Sequence, residues 1–326
     1  MTPAMDMLPS FDFHRVLIEP WRDFAGLHVW VLVMGFLVCG TCGLIGKFII
    51  LRRLALVGDA ISHSLLPGIA VAFLVSRSRE TLPMFVGAVV AGVLTTVLIE
   101  YIHRNSRVKP DAAIGIVFTT LFAIGVILIT AFADQIDLDA DCVLYGEIQF
   151  VPLEPMVHLG DWALGPVPVV RMGAVALGIA GLIGLFYKEL VVTSFDPGLA
   201  ASLGLRNGVF HYGLMVGLSL VIVSAFEAVG PILVIAMLIF PGATASLLSD
   251  RLPRILGLTV LLSFLYALIG LHLAIWLDCS TAGAMVVAAG LVFLGVWTLS
   301  PRKGWVVLWL TRRRILEAGP PMITPD

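Results

Sequence analysis

The sequence predicts an all-α, polytopic membrane protein of eight or nine transmembrane helices, and three observations carry that prediction. Hydrophobic residues make up 59% of the 326-residue chain and charged residues only 13%, about half the charged share of a soluble domain. A water-soluble fold of this length could not hide so much apolar surface in one core. The apolar residues fall into runs of about 20, the length at which a helix crosses a bilayer's hydrocarbon. Lys and Arg gather in alternate breaks between those runs. The mean hydropathy of +1.03 agrees.

The elements follow in order. The opening MTPAMDMLPSFDFHRVLIEPW has no basic stretch leading into an apolar one. No cleavable signal peptide is expected, and the first span would direct insertion itself. Spans are predicted at about 27–50, 56–75, 82–102, 111–133, 168–187, 209–227, 230–248, 254–276 and 281–299. The sixth and seventh are divided only by Glu227 and the Gly230-Pro231 pair. That join is either a sharp turn or a broken helix, which leaves the count at eight or nine. Residues 1–26 form an extracytoplasmic N-terminal segment, 27–299 the transmembrane domain and 300–326 a cytoplasmic tail. Glycine is abundant, and Gly178, Gly181 and Gly184 can line one helix face for close packing.

Orientation follows from the positive charges. Lys47, Arg52, Arg53, Arg104, Arg107, Lys109, Lys188, Arg206, Arg251, Arg254 and the five basic residues of the tail place 15 of the 20 on one side. That side is cytoplasmic, with the N-terminus outside. The longest outer loop collects Asp134, Asp137, Asp139, Asp141, Glu147, Glu154 and Asp161. Such a mouth raises the local concentration of cations, although an ordinary solvated loop has the same composition. The net charge of −2 and the lack of a basic tract give no reason to expect a nucleic-acid partner.

Ionisable groups inside a span are costly and mark function. In LVGDAISHSLLPG, Asp59 and His63 stand at i and i+4, on one face of a helix. Ser62 and Ser64 add polarity, and Pro67 is expected to bend or break the helix. A carboxylate with an imidazole suits Mn2+, Fe2+ or Zn2+. One pair supplies two ligands; two copies face to face would supply four. The alternative is a structural Asp–His hydrogen bond that seals the helix against a neighbour. Glu227 either lines an entrance or is an interfacial residue at a helix end. Glu100 and His103 lie where charges snorkel and are assigned no role. The four cysteines are too few and scattered for a disulfide framework. Cys39-Gly-Thr-Cys42 sits within a span and reads as small-residue packing. Gly40–Phe48 fails as a nucleotide-binding loop, because Thr41 stands at the first glycine and Phe48 at the Ser/Thr. Any ATP-driven motor would therefore be another chain.

LVGDAISHSLLPGIA resembles the manganese/zinc/iron ABC-transporter permease family, and other segments agree in order. Asp111–Leu128 is similar to the family's fourth helix. Asp137–Ile148 resembles its outer loop in treponemal-type metal permeases. SFDPGLAASLGL (Ser194–Leu205) and Ala228–Leu252 match later segments. The resemblance covers nearly all of 27–299, whereas the first 25 residues and the tail beyond Arg302 carry no family motif.

This resemblance implies a permease similar to, but smaller than, the vitamin B12 importer permease. It implies no permanently bound cofactor, with Mn2+, Zn2+ or Fe2+ as cargo. It implies two cytoplasmic ATPase subunits, a second permease protomer, identical or paralogous, and an extracytoplasmic metal-binding protein. Asp59 and His63 match the family's metal-coordinating positions. The segment 194–206 would be the coupling helix, with Asp196 as its cap, Pro197 at its first position and Ala200 and Gly204 as a small-residue face for the ATPase. Glu227 departs from the family pattern, where a neutral polar residue is expected. Three rivals are weighed against this reading. A cobalamin or siderophore cargo would want a wide neutral vestibule. A proton-coupled transporter would need no ATPase. An intramembrane metalloenzyme would need more ligands than Asp59 and His63, and no H-E-x-x-H is present.

Overall fold

In hydrocarbon every backbone N–H and C=O must find its partner within the protein, so long apolar runs fold as helices. The computed structural model, which describes residues 12–77, 81–132, 148–160 and 162–300, follows that rule. A π-helical turn (His14–Ile18) and a one-turn helix α1 (Glu19–Arg22) precede the bundle. The spans are α2 (Ala25–Leu51), α3 (Val57–Ser76), α4 (Thr81–Asn105), α5 (Pro110–Ala131) and α6 (Val167–Leu185). After two short helices, α7 (Tyr187–Phe195) and α8 (Pro197–Ser202), come α9 (Asn207–Leu248), α10 (Leu252–Leu277) and α11 (Thr281–Leu299). Among the described residues eight helices are long and apolar enough to cross a membrane, and Leu233–Leu248 is a shorter apolar helix.

The undecided join at 227–231 is a reversal. α9 is two helical arms broken at Gly230, which has φ 70° and ψ 169°, a conformation open to glycine and also extended enough to precede Pro231. Two contacts fix the direction of the halves. Lys47 Nζ donates to Ser246 Oγ at 2.7 Å, and Arg52 Nη1 lies 3.5 Å from His211 Nδ1. Both ends of α9 thus sit beside the same end of α2. Ile222 and Leu238, equally far from Gly230 in sequence, both approach Gly58. The sharp turn is the correct alternative, and the second arm is the shorter apolar helix Leu233–Leu248.

That arm is about 24 Å long at 1.5 Å per residue, less than the roughly 30 Å of hydrocarbon. The turn between the two arms is covered by the rest of the chain. Ala228, Val229 and Leu233 are buried there, beneath a 3-10 turn (Ile148–Leu153) that packs on α2, α9 and α11 through the buried Ile148 and Val151. The chain continues into a small antiparallel hairpin, β1 (Met156–Leu159) with β2 (Trp162–Pro166), pairing Met156 with Pro166. Its Gly165 lies against the Trp30 ring. On the same side Trp21 Nε1 donates to His272 Nε2 at 3.1 Å, which tacks the N-terminal segment onto α10.

Close helix packing does rest on glycine, at other positions than expected. Gly46 abuts the Leu238 carbonyl, Gly68 meets Gly87, and Gly270 accommodates Met285. Gly178, Gly181 and Gly184 face open space, so the stripe on α6 makes no packing contact within the chain. Of the acidic outer loop, only Glu154 falls among the described residues, and it is exposed. Asp134, Asp137, Asp139, Asp141, Glu147 and Asp161 lie outside them, as does the basic tail.

Candidate functional site on α3

α3 begins at Val57 without a side-chain cap, and Asp59 lies in its first turn, where the helix dipole favours a carboxylate. The i, i+4 spacing brings His63 Nε2 to 3.3 Å from Asp59 Oδ1. Their side chains are 40% and 42% exposed in the single chain. The His63 ring rests against Phe118 and Phe122 of α5, with centroids 6.0 and 6.1 Å away. The pair thus has an aromatic wall on one side and is open on the other. Phe118 and Phe122 were missed in the sequence, where one apolar span offers no sign of which residues face a neighbour.

The remaining polar residues of the motif point elsewhere. Ser62 Oγ donates to Gly58 O at 3.0 Å, and Ser64 Oγ lies 2.6 Å from Thr95 Oγ1 of α4. Both serines are buried within the bundle. Pro67 does not end the helix, which runs through it to Ser76; Gly125 of α5 packs against it. Gly58 approaches Ile222 and Leu238, so the start of α3 lies about 12 Å below the turn at Gly230, counting eight residues of helical rise. Asp59 follows directly, level with the middle of the second arm of α9.

Among the described residues no group of three or more His, Cys, Asp or Glu could hold a metal ion. One chain offers one carboxylate and one imidazole. Cys39 and Cys42 are buried within α2, consistent with a packing role. Glu227 belongs to the last turn before Gly230 in the backbone of α9; its side chain lies outside the described part.

The predicted helix start at Asp196-Pro197 is present. Asp196 Oδ1 accepts from Leu199 N at 2.9 Å, with Pro197 in the first turn of α8. Asn207 Nδ2 donates to Pro197 O at 2.8 Å, tying α8 to the foot of α9. Gly204 has φ +77° and lets the chain leave the helix. Ala200 contradicts its expected place on an open face, because it is fully buried against the rest of the chain. A six-residue helix lying on the bundle must bury one side, and Ala200 is on that side. The exposed apolar residues are Phe195, Leu199 and Leu203, which small-residue reasoning passed over.

Fold and site together are those of a multi-pass membrane transport subunit. A profile of the ABC 3 transport family matches residues 26–300, and the chain belongs to that family. It is 43% identical over 277 residues to the manganese transport system membrane protein MntD of Bacillus subtilis, spanning 85% of this chain and 93% of that protein. It is 42% identical over 285 residues to the zinc transport system membrane protein TroD of Treponema pallidum, spanning 87% and 77% respectively. In three dimensions it is similar to a chain of PsaBC from Streptococcus pneumoniae in complex with Fab, with a TM-score of 0.72, 34% identity and coverage of 90% and 98%.

Proposed function

We propose that this chain is the membrane-spanning permease of an ATP-driven importer of divalent transition metal, and that Asp59 and His63 hold the ion in transit. The observation that carries the reading is a carboxylate–imidazole pair at 3.3 Å, on a helix of membrane-spanning length yet open on one face, in a family whose relatives are named for manganese and zinc transport. A seal between helices would have been closed on all sides. Fe2+ fits the same ligands. Two protomers, identical or paralogous, placing their open faces together would give four ligands, enough to surround a dehydrated ion.

The partner ATPases dock on the cytoplasmic face at α7–α8, where Phe195, Leu199 and Leu203 offer apolar contact and Asp196, Pro197 and Gly204 set the shape of the segment. The basic span ends support a cytoplasmic position for that face, with the N-terminus outside. An extracytoplasmic binding protein delivers metal to the acidic outer loop. Glu227, one turn before the reversal at Gly230, stands at the entrance of the path toward Asp59. Closure of the ATPases on nucleotide moves α7–α8 and switches access inward. Both ligands must be deprotonated to bind metal, so acidification opposes uptake.

The test is uptake of radioactive or fluorescence-detected Mn2+ and Zn2+ in cells lacking their own importers. Asp59→Ala and His63→Ala, each reaching the membrane at the wild-type level, should lower uptake roughly tenfold or more, as loss of a ligand exceeds the loss of an outer partner. Undiminished uptake in the double variant would remove the site assignment.

A further inference from the structure

At the cytoplasmic ends of four elements lies a line of polar side chains that the metal pair does not explain. Arg52, just past α2, donates from Nε to Ser194 Oγ at 3.1 Å and from Nη2 to Thr193 Oγ1 at 3.0 Å. These two hydroxyls occupy the last turn of α7, immediately before Asp196-Pro197. The third guanidinium nitrogen, Nη1, faces His211 Nδ1 at 3.5 Å. On the far side of the ring, His211 Nε2 lies 3.5 Å from Glu100 Oε2 near the end of α4. The other Glu100 oxygen accepts from Arg104 Nε one turn further on.

The chemistry of the line fixes its proton positions. A guanidinium only donates, so Nδ1 of His211 accepts and Nε2 carries the hydrogen toward Glu100. The imidazole thus joins a cation to a carboxylate. Thr193 is buried, and Arg52 and Glu100 are largely withdrawn from water. Desolvation pulls the Arg52 pKa below its ordinary value, yet a guanidinium keeps its charge throughout the physiological range. A desolvated charge held by three partners resists being pulled from any one of them.

α4 carries the connection upward. Five residues above Glu100, Thr95 Oγ1 lies 2.6 Å from Ser64 Oγ, both fully buried, and Ser64 adjoins His63. Gly87 and Gly68 bring the same two helices into backbone contact a few turns beyond. Continuous helix between Glu100 and Thr95 moves as one rigid body. From α7, every step to the metal pair is therefore a hydrogen bond, a charge pair or a rigid helix.

We propose that Arg52, through His211 and Glu100, is a positioning residue that carries movement of the ATPase-facing segment α7–α8 into α4 and so to α3, coupling ATP hydrolysis to access at Asp59 and His63. The inference rests on the function proposed above. It assigns roles to Arg52, His211 and Glu100 that span-end charges do not have when they merely snorkel.

The test uses the whole importer, purified with its ATPase and reconstituted in vesicles, and reads Mn2+ uptake and ATP hydrolysis together. Arg52→Gln should lower uptake per ATP hydrolysed by about twofold to thirtyfold, the span of known coupling mutations, while hydrolysis continues. Thr193→Val with Ser194→Ala leaves Arg52, His211 and Glu100 intact and removes only the grip on α7; it should lower the ratio in the same direction. Glu100→Gln added to Arg52→Gln should cost no more than the worse single change, because both cut one line. A wild-type ratio in Arg52→Gln and in the Thr193/Ser194 variant, or losses that multiply in the Arg52/Glu100 double variant, would overturn the proposal. If Arg52→Gln does not assemble, the Thr193/Ser194 variant decides. Absence of ATP-dependent metal uptake by the wild-type complex would instead overturn the proposed function itself.

Discussion

Gly46 gives the packing of the bundle its sharpest test. A Cβ built there would overlap the carbonyl oxygen of Leu238, with the carbonyl carbon at 2.8 Å and the Cα at 3.1 Å. Those neighbours are backbone and cannot rotate away, so Gly46→Ala must push α2 and the second arm of α9 apart. A separation of about 1 Å forfeits a quarter to a half of each dispersion well across the contact, and overpacking of this kind costs about 1–3 kcal/mol. Alanine returns up to ~1 kcal/mol through helix propensity. Gly181→Ala on α6 isolates that return, since nothing lies within 4 Å of its Cβ. The difference between the two variants is then the overpacking alone, toward 3 kcal/mol because the obstacle is rigid. Thermal unfolding of the purified protein in detergent should place Gly46→Ala roughly 5 °C or more below Gly181→Ala. Equal midpoints would refute the close approach of α2 to Leu238, and with it the position assigned to the second arm of α9.

Two further perturbations test local accounts. Asp196→Ala removes the oxygen that caps α8 and should cost ~1 kcal/mol there, whereas Asp196→Asn keeps most of it; hydrogen exchange at Leu199–Ser202 should quicken in the first variant and hold in the second. Tyr266, fully buried, donates to Thr244 Oγ1 at 2.8 Å, and Thr244 donates in turn to Phe240 O. Tyr266→Phe removes only the donor and should cost about 1 kcal/mol, while Thr244→Val strands a buried phenol and should cost more, up to ~3 kcal/mol. Reversal of that order in denaturation would show that the phenol has another partner.

The spans were legible because each is a run with a single solvent preference, and hydrocarbon leaves such a run one conformation. Asp196-Pro197 was legible for a similar reason, since capping is decided within three residues. What stayed hidden depends on partners far away in sequence. The same Gly230-Pro231 permits a kink or a reversal, and Lys47 with Ser246 and Arg52 with His211 decide it. Gly46 and Gly181 are alike in a hydropathy profile; only Leu238 distinguishes them. Ala200 looked like an open small-residue face because a sequence does not say which side of a short helix lies on the bundle. Glu100 was set aside as a snorkelling charge, and its pairing with His211 bridges 111 positions.

The i, i+4 spacing of Asp59 and His63 admitted a metal site or a structural hydrogen bond, and the 3.3 Å separation alone suits either. The same helix supplies the comparison that favours the first. One residue beyond His63, Ser64 meets Thr95 at 2.6 Å with both side chains fully buried. Such a contact holds two helices together: short, desolvated and satisfied on both sides. Asp59 and His63 share none of those features, being longer in separation and about two-fifths exposed. Packing α3 against α4 is already served by Ser64 and Thr95 and does not require an ionisable pair within a span. The face that Asp59 and His63 leave open is where a metal ion can reach both ligands.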